Sequence, residues 1–100
     1  MAVFAISFRI GDEGDRNARW SSVVERIKKE ATGATWEETT SFFLIRSSKS
    51  ADGLASSIYT ESSMHSTWDK LLVINLSKKD YATRGGISYP ATLGGLMDDR

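Results

Sequence analysis

The first eleven residues place the strongest constraint on the fold. In the segment MAVFAISFRIG, large apolar side chains occupy every second position, namely Phe4, Ile6, Phe8 and Ile10. This period of two predicts a β-strand with one apolar face, which other elements of the fold have to cover. The opposite face ends in Arg9, a full positive charge. We therefore expect a sheet with one covered face and one open face that tolerates charge.

Length and charge limit the classes of protein that the chain can belong to. One hundred residues make a single domain, and 13 basic residues balance 13 acidic ones. This balance disfavours a large uniform basic surface for nucleic acid but permits a local basic patch. The lack of cysteine excludes disulfides, thiolate zinc sites and cysteine nucleophiles. Because there is no basic leader and no apolar run near the ~20 residues that span a bilayer, we expect a cytoplasmic protein without a membrane partner.

The segment after the first strand has the spacing of an amphipathic helix. GDEGDRNAR predicts a turn, and the following ARWSSVVERIKKEA carries an apolar stripe at helical spacing. The stripe consists of Trp20, Val23, Val24, Ile27 and Ala31. Arg19 is assigned to the charged side, away from the stripe. We expect this helix to end before Gly33.

The rest of the chain contains three strand patterns and a weaker helix. TWEETT predicts a polar edge strand, joined by a tight hairpin around residues 39–41 to the buried strand SFFLIRS. SADGLASSIYT predicts a second helix capped by Ser50 or Asp52. KLLVINLSKK is the clearest strand. The glycine-rich remainder predicts an arm or a short extra strand followed by a frayed end.

This order of elements defines the expected fold. Strand, helix, strand, strand, helix, strand is the βαββαβ pattern of the α+β ferredoxin-like fold, an antiparallel sheet with both helices on one face. We expect the strand order 4-1-3-2, with residues 1–84 in this domain and residues 85–100 in a C-terminal arm. The open face of so small a domain predicts a binding surface or a homodimer interface.

Few side chains suggest catalysis. His65, the only histidine, lies in a polar loop and is interpreted as solvated rather than catalytic. Asp12 and Asp15 lack the spacing of a calcium loop and are interpreted as acids that favour the start of the helix. Trp36 and Trp68 lie in polar surroundings, where each either stacks on a base or covers the edge of the core.

A few cations are candidates for phosphate contacts. Lys78, Lys79 and Arg84 follow the clearest strand, and Arg9 ends the first one. Such residues bind nucleic acid when they form a patch, and are otherwise solvated charges. The sequence predicts these four as the nucleic-acid-binding residues.

Five segments taken together resemble a known family: MAVFAISFRI, the first helix, TSFFLIRSS, SADGLASSI and DKLLVINLSKKDYATRG. Over residues 2–84 the chain is similar to the small CRISPR-associated integration-scaffold (Cas2-like) family, and most of all to its SinR-like and VapD-like relatives. The resemblance implies a homodimer formed through the open sheet faces, with a C-terminal segment that joins the partner's sheet. It also implies either a metal-dependent nuclease of RNA or double-stranded DNA, or a DNA-binding scaffold.

One position departs from the family pattern. The resemblance implies a metal-binding aspartate at the end of the first strand, and Arg9 stands there. A guanidinium stays protonated, offers no lone pair and repels a cation. We therefore interpret the chain as a non-catalytic homodimer that binds nucleic acid or a protein partner, with no metal and no other cofactor. The alternative is an endonuclease whose Mg or Mn is held by other acids, such as Asp12 or Asp15.

Overall fold

The computed structural model describes residues 1–100, which form one four-stranded sheet and three helices. The strands are β1 (Ala2–Arg9), β2 (Phe42–Ser47), β3 (Lys70–Asn75) and β4 (Asp80–Gly85). The helices are α1 (Arg16–Glu30), α2 (Ala51–Thr60) and α3 (Pro90–Asp98). All pairings in the sheet are antiparallel, in the order β2-β1-β3-β4. The α+β class is confirmed, and the arrangement is compatible with the ferredoxin-like fold.

The core forms on the apolar face of β1, as its alternating pattern predicts. Phe4 and Ile6 are completely buried, and Phe8 and Ile10 are almost so. The ring of Phe8 stacks on that of Phe43 in β2, with 6.3 Å between the centroids. These side chains belong to a cluster of 17 buried apolar residues, to which β2, β3, α1 and α2 also contribute. Burial of this face is the main stabilising term for a domain of this size.

The two longer helices pack on that face with most of the predicted residues. Val23, Val24 and Ile27 of α1 are buried, but Trp20 is 38% exposed, which corrects its assignment to the core. Trp20 instead lines a shallow cleft beside residues 37–43. α2 begins at a predicted cap, because the Ser50 hydroxyl accepts a hydrogen bond from Gly53 N at 3.0 Å.

The segment TWEETT is not a strand, which corrects the sequence prediction. Its only sheet pairing is a bridge between Trp36 and Leu44, whose N–H groups each donate to the other's carbonyl at 3.0 and 2.9 Å. The residues after Trp36 are polar and exposed, a composition that stabilises strand pairing only weakly, and the pairing ends there. The predicted turn at residues 39–41 is present, with Ser41 at a φ of 53°. As a result, β2 lies at an edge of the sheet instead of inside it.

The C-terminal region is more regular than predicted. KLLVINLSKK forms a strand only to Asn75, whose Oδ1 accepts hydrogen bonds from the backbone N–H groups of Ser77 and Lys78 and so turns the chain. The expected extra strand is β4, which pairs with β3 and moves β3 to the centre of the sheet. The expected frayed end is instead the helix α3, which starts with Pro90 at a position that suits proline. In the predicted order 4-1-3-2, strand 2 is TWEETT and strand 4 is KLLVINLSKK. The observed sheet differs at both edges, because TWEETT is not a strand and β4 is added outside KLLVIN.

The last turn of α1 holds a buried carboxylate. The Glu30 side chain is 2% exposed and forms ion pairs with Arg26, one turn earlier, and with Lys49 Nζ at 2.8 Å. Burial raises the pKa of the Glu30 carboxyl, but hydrogen bonds to Lys49 and Arg26 and their positive charges outweigh it. The pKa is therefore held below its usual value of 4.5. Glu30 links the end of α1 to the segment between β2 and α2.

α3 differs from the other helices because none of its residues is buried. It lies beside β4, where Gly94 approaches the Tyr81 hydroxyl and the Arg100 guanidinium lies 5.7 Å from the centre of the Tyr81 ring. No helix of the protein combines the length and the apolar composition needed to cross a membrane.

Candidate functional site

One face of the sheet is left open by α1 and α2, and this open face is the candidate functional surface. Because side chains alternate along each strand, the residues opposite the core share this face. They are Val3, Ala5, Ser7 and Arg9 of β1, Phe42, Leu44 and Arg46 of β2, Lys70, Leu72 and Ile74 of β3, and Tyr81 and Thr83 of β4. α3 reaches only the margin of the face, near Tyr81.

The centre of the open face is apolar and built around small residues of β1. Ala5 pairs with Leu44 on one side and with Ile74 on the other, and its neighbours leave it only 8% exposed. Ser7 stands in the same way between Phe42 and Leu72. The central strands carry no aromatic ring on this face. The face therefore presents a shallow apolar centre with taller side chains along both flanks.

Positive charge lies at the ends of the open face. Arg9 and Lys70 are direct cross-strand partners, and Arg46 pairs with Val3 at the other end. No carboxylate side chain belongs to the open face. Arg9 and Arg46 make no ion pair. Lys70 Nζ makes none either, and its one hydrogen bond goes to the Ser88 hydroxyl, at 2.9 Å. Like charges directly opposite each other in a sheet repel, so the Arg9–Lys70 pair is an uncompensated cationic site.

The other cations predicted to bind nucleic acid lie elsewhere. Lys78 and Lys79 are in the turn between β3 and β4. This turn follows Asn75, which is five residues along β3 from Lys70, the partner of Arg9. At 3.4 Å per residue, the turn is about 17 Å from the Arg9 end of the sheet. Arg84 faces the helices, where its guanidinium donates to Asp52 Oδ1 at 2.7 Å and to the Thr83 carbonyl at 2.8 Å. The structure thus does not bring the four predicted residues together.

Asp12 and Asp15, which the alternative interpretation assigns to a metal site, form ion pairs with arginines at the start of α1. The Asp12 carboxylate is 97% exposed and lies 3.5 Å from Arg16, while Asp15 lies 3.3 Å from Arg19. Nowhere in the chain do three or more His, Cys, Asp or Glu side chains form a group that could hold a metal ion. The residues at the end of β1 therefore do not fit the metal that the family resemblance implies.

A buried aspartate beside this end of the sheet was not predicted. Asp69 is fully buried, and its carboxylate accepts hydrogen bonds from Gly11 N at 2.9 Å, His65 N at 2.7 Å and Arg19 Nε at 3.2 Å. Arg19 also donates to the carbonyl groups of Gly11 and Glu13. We call the buried pair of Asp69 and Arg19, with the backbone groups that bond to them, the Asp69–Arg19 clasp. Every polar group in it has a partner, which indicates a structural role.

The sequence did contain a signal for the clasp. Arg19 lies four residues before Val23 and eight before Ile27, and this spacing places it on the buried side of α1. Its 2% exposure corrects its assignment to the solvent side. Arginine is normally a surface residue, so its residue type and its helical spacing point to opposite sides of α1.

His65 and Trp68 complete the loop around the clasp. Their rings stack 3.8 Å apart, and the Arg19 guanidinium lies 5.1 Å from the centre of the Trp68 ring. His65 Nδ1 accepts hydrogen bonds from the backbone N–H groups of Thr67 and Trp68. Trp68 is thus held against its neighbours, whereas Trp36 is 40% exposed at the margin of the open face.

In comparisons with known proteins, no family model, no curated protein and no solved structure matches the chain.

Proposed function

We propose that the chain is a non-catalytic, Cas2-like homodimer whose open sheet faces pack together and whose Arg9 end binds nucleic acid. One observation carries the proposal: the open face joins an apolar centre to an uncompensated cationic pair and carries no carboxylate. The resemblance in the sequence supplies the family.

The dimer is supported by the shape and chemistry of the open face. The small residues Ala5 and Ser7 permit the close approach of a second sheet, and sheets pack face to face about 10 Å apart. Leu72 and Ile74 are only half-buried in the single chain. RNA-binding sheets stack bases on aromatic rings of their central strands, which this face lacks. A second copy of the face is therefore the better fit to its centre.

Nucleic-acid binding is supported by the charge at the end of the face. The repulsion between Arg9 and Lys70 costs a few tenths of a kcal/mol to about 1 kcal/mol, and a phosphate between them converts it into attraction. A twofold axis doubles the number of such cations. Because the net charge of the chain is zero, binding depends on this local site and not on a general basic field.

The proposal that the chain is non-catalytic is supported by the groups around Arg9. Arg9 stands where the resemblance implies a metal-binding aspartate, and the nearby Asp69 carboxylate already accepts hydrogen bonds from three donors. Asp12 and Asp15 are paired with arginines. A divalent cation there has cationic neighbours and no free oxygen ligand set.

The dimer is tested by sedimentation of the whole protein and of two matched variants. Leu72→Glu places a charge at the centre of the open face, and Ser21→Glu places the same charge on the exposed side of α1. We expect the unaltered chain and Ser21→Glu to sediment as dimers and Leu72→Glu as a folded monomer. A monomer of 11.1 kDa for the unaltered chain at micromolar concentration would overturn the dimer.

Nucleic-acid binding and cleavage are tested on the same preparations. Fluorescence anisotropy with labelled RNA and duplex DNA is expected to show salt-dependent binding, weakened by Arg9→Gln and unchanged by the control Lys29→Gln on α1. No salt-dependent binding, or an equal loss in both variants, contradicts the nucleic-acid site and leaves a protein partner as the occupant. Cleavage with Mg or Mn that is abolished by a chelator and by Asp12→Ala establishes the nuclease alternative instead.

A further inference from the structure

A polar cavity of about 560 Å³ lies at the end of the sheet opposite to Arg9, outside the proposed dimer and nucleic-acid sites. It is bounded by the start of β1, the segment before α2 and the turn after β3, and only two of its ten lining residues are apolar. Its volume lies within the range of small-molecule sites, about 300–1,000 Å³. A polar lining of this kind fits a ligand rich in hydrogen-bonding groups.

Asn75 supplies the observation that points to a ligand. The residue is 94% buried and lines the cavity, and its Oδ1 accepts hydrogen bonds from Ser77 N at 2.8 Å and Lys78 N at 3.1 Å. These two bonds fix the orientation of the amide and leave Nδ2 as its other end. Nδ2 donates to no protein atom. It is not among the side-chain atoms that are sealed from solvent, so it is free to donate to a molecule bound in the cavity that Asn75 lines.

The charges around the cavity favour an anion next to Asn75. Lys78 lines the cavity and forms no ion pair, while Lys49, also in the lining, is 2.8 Å from Glu30. Ser50, the N-cap of α2, also lines the cavity, which therefore lies near the positive end of the α2 dipole. The Lys78 ammonium and the Asn75 amide both donate hydrogen bonds, so together they suit a phosphate group.

Asp80 adds a different kind of group to the same lining. One of its carboxylate oxygens accepts a hydrogen bond from Ala51 N at 3.3 Å, at the start of α2. A carboxylate repels a phosphate but accepts hydrogen bonds from hydroxyl groups. The cavity therefore has a donor side, at Asn75 and Lys78, and an acceptor side, at Asp80.

We infer that this cavity binds a phosphate monoester on a hydroxylated carbon skeleton, the chemistry shared by sugar phosphates and nucleotides. The phosphate oxygens accept hydrogen bonds from Asn75 Nδ2 and Lys78 Nζ, and the hydroxyl groups of the skeleton donate to Asp80. This site does not depend on the proposed function, because it shares no residue with the open face.

The test is an NMR titration of the whole protein with inorganic phosphate, ribose 5-phosphate and AMP. We expect saturable amide shifts confined to residues 47–53 and 75–80, with both esters binding more tightly than inorganic phosphate. Tighter binding of AMP than of ribose 5-phosphate assigns the site to nucleotides, and the reverse assigns it to sugar phosphates. The absence of saturable shifts with all three probes overturns the inference.

Variants separate a built site from general charge attraction. Asn75→Asp keeps an oxygen for Ser77 N and Lys78 N but replaces the free donor, and Lys78→Met removes the cation. Each is expected to weaken binding of ribose 5-phosphate by about tenfold or more, the effect of losing one charge-assisted hydrogen bond. Lys79→Met, one residue away and outside the cavity lining, is the control and is expected to bind as the unaltered chain does. If Asn75→Asp fails to fold, the two lysine variants still decide, and an equal loss in both overturns the site.

Discussion

Replacing Asp69 with asparagine is expected to lower the free energy of unfolding by about 3 kcal/mol, the low end of the cost of breaking a buried ion pair. The Asp69 carboxylate is fully buried and accepts three hydrogen bonds, one on Oδ1 and two on Oδ2. Asparagine has one oxygen, so its amide group must face at least one of these donors, and Arg19 loses its buried counter-charge. The low end applies because Arg19 keeps its hydrogen bonds to the carbonyl groups of Gly11 and Glu13.

The measurement is urea and thermal unfolding of the variant beside a control. For a chain of this length each kcal/mol moves the melting temperature by about 4–8 °C, so a drop of about 12–24 °C is expected. Asp15→Asn is the control, because Asp15 contacts the same Arg19 at 3.3 Å but is 70% exposed. Its cost is expected to stay below about 1 kcal/mol, as for exposed ion pairs.

Two results would refute this reasoning about the clasp. The first is a loss of stability in Asp69→Asn no larger than that in Asp15→Asn. The second comes from a double-mutant cycle with Arg19→Met, in which Asp69→Asn should cost less once the arginine is gone. Equal costs in the two backgrounds would mean that the two side chains do not depend on each other.

Two further predictions concern acid stability and glycine. Because the folded pKa of Glu30 lies below 4.5, its contribution to stability is present above that pH and is lost as the pH falls through the folded value. Glu30→Gln should therefore flatten the acid side of the stability curve in urea titrations, and an unchanged curve would contradict the ion-pair account. Gly85→Ala should destabilise by more than about 1 kcal/mol, since its φ is +88° and a Cβ would overlap the Asp69 carbonyl. Gly95→Ala in α3, where nothing lies within 4 Å, should instead stabilise by up to about 1 kcal/mol in the same assay, and a matching loss would refute the distinction.

The features that the sequence predicted well are periodic and local. The alternation in β1 identified the residues that meet the helices, and the spacing of Val23, Val24 and Ile27 identified the buried stripe of α1. Ser50 was one of the two candidate caps of α2, because the role of a cap depends only on the next three residues. The placement of Arg9 on the open face followed from the same alternation.

Most of the features that the sequence did not predict depend on partners far along the chain. Asp69 and Arg19 are 50 residues apart, and neither residue type suggests burial unless the other is known to be adjacent. TWEETT has the composition of an edge strand, yet whether it pairs depends on apolar surface that only the folded sheet provides. The cavity beside Asn75 is likewise formed by three separate segments, so no local pattern marks it. α3 was obscured by Gly94 and Gly95, which weaken a helical pattern.

The position of the clasp also has a consequence for how long the native state persists. Asp69 directly precedes β3, and Gly11 lies just beyond β1, so we expect their contact to close after these two strands have paired. An interaction that forms late is absent from the transition state of folding, and its loss appears in the unfolding rate. Asp69→Asn should then refold at nearly the original rate but unfold about 100-fold faster, at tenfold for each 1.4 kcal/mol. The clasp would then act chiefly by slowing unfolding, and so set the lifetime of the folded chain.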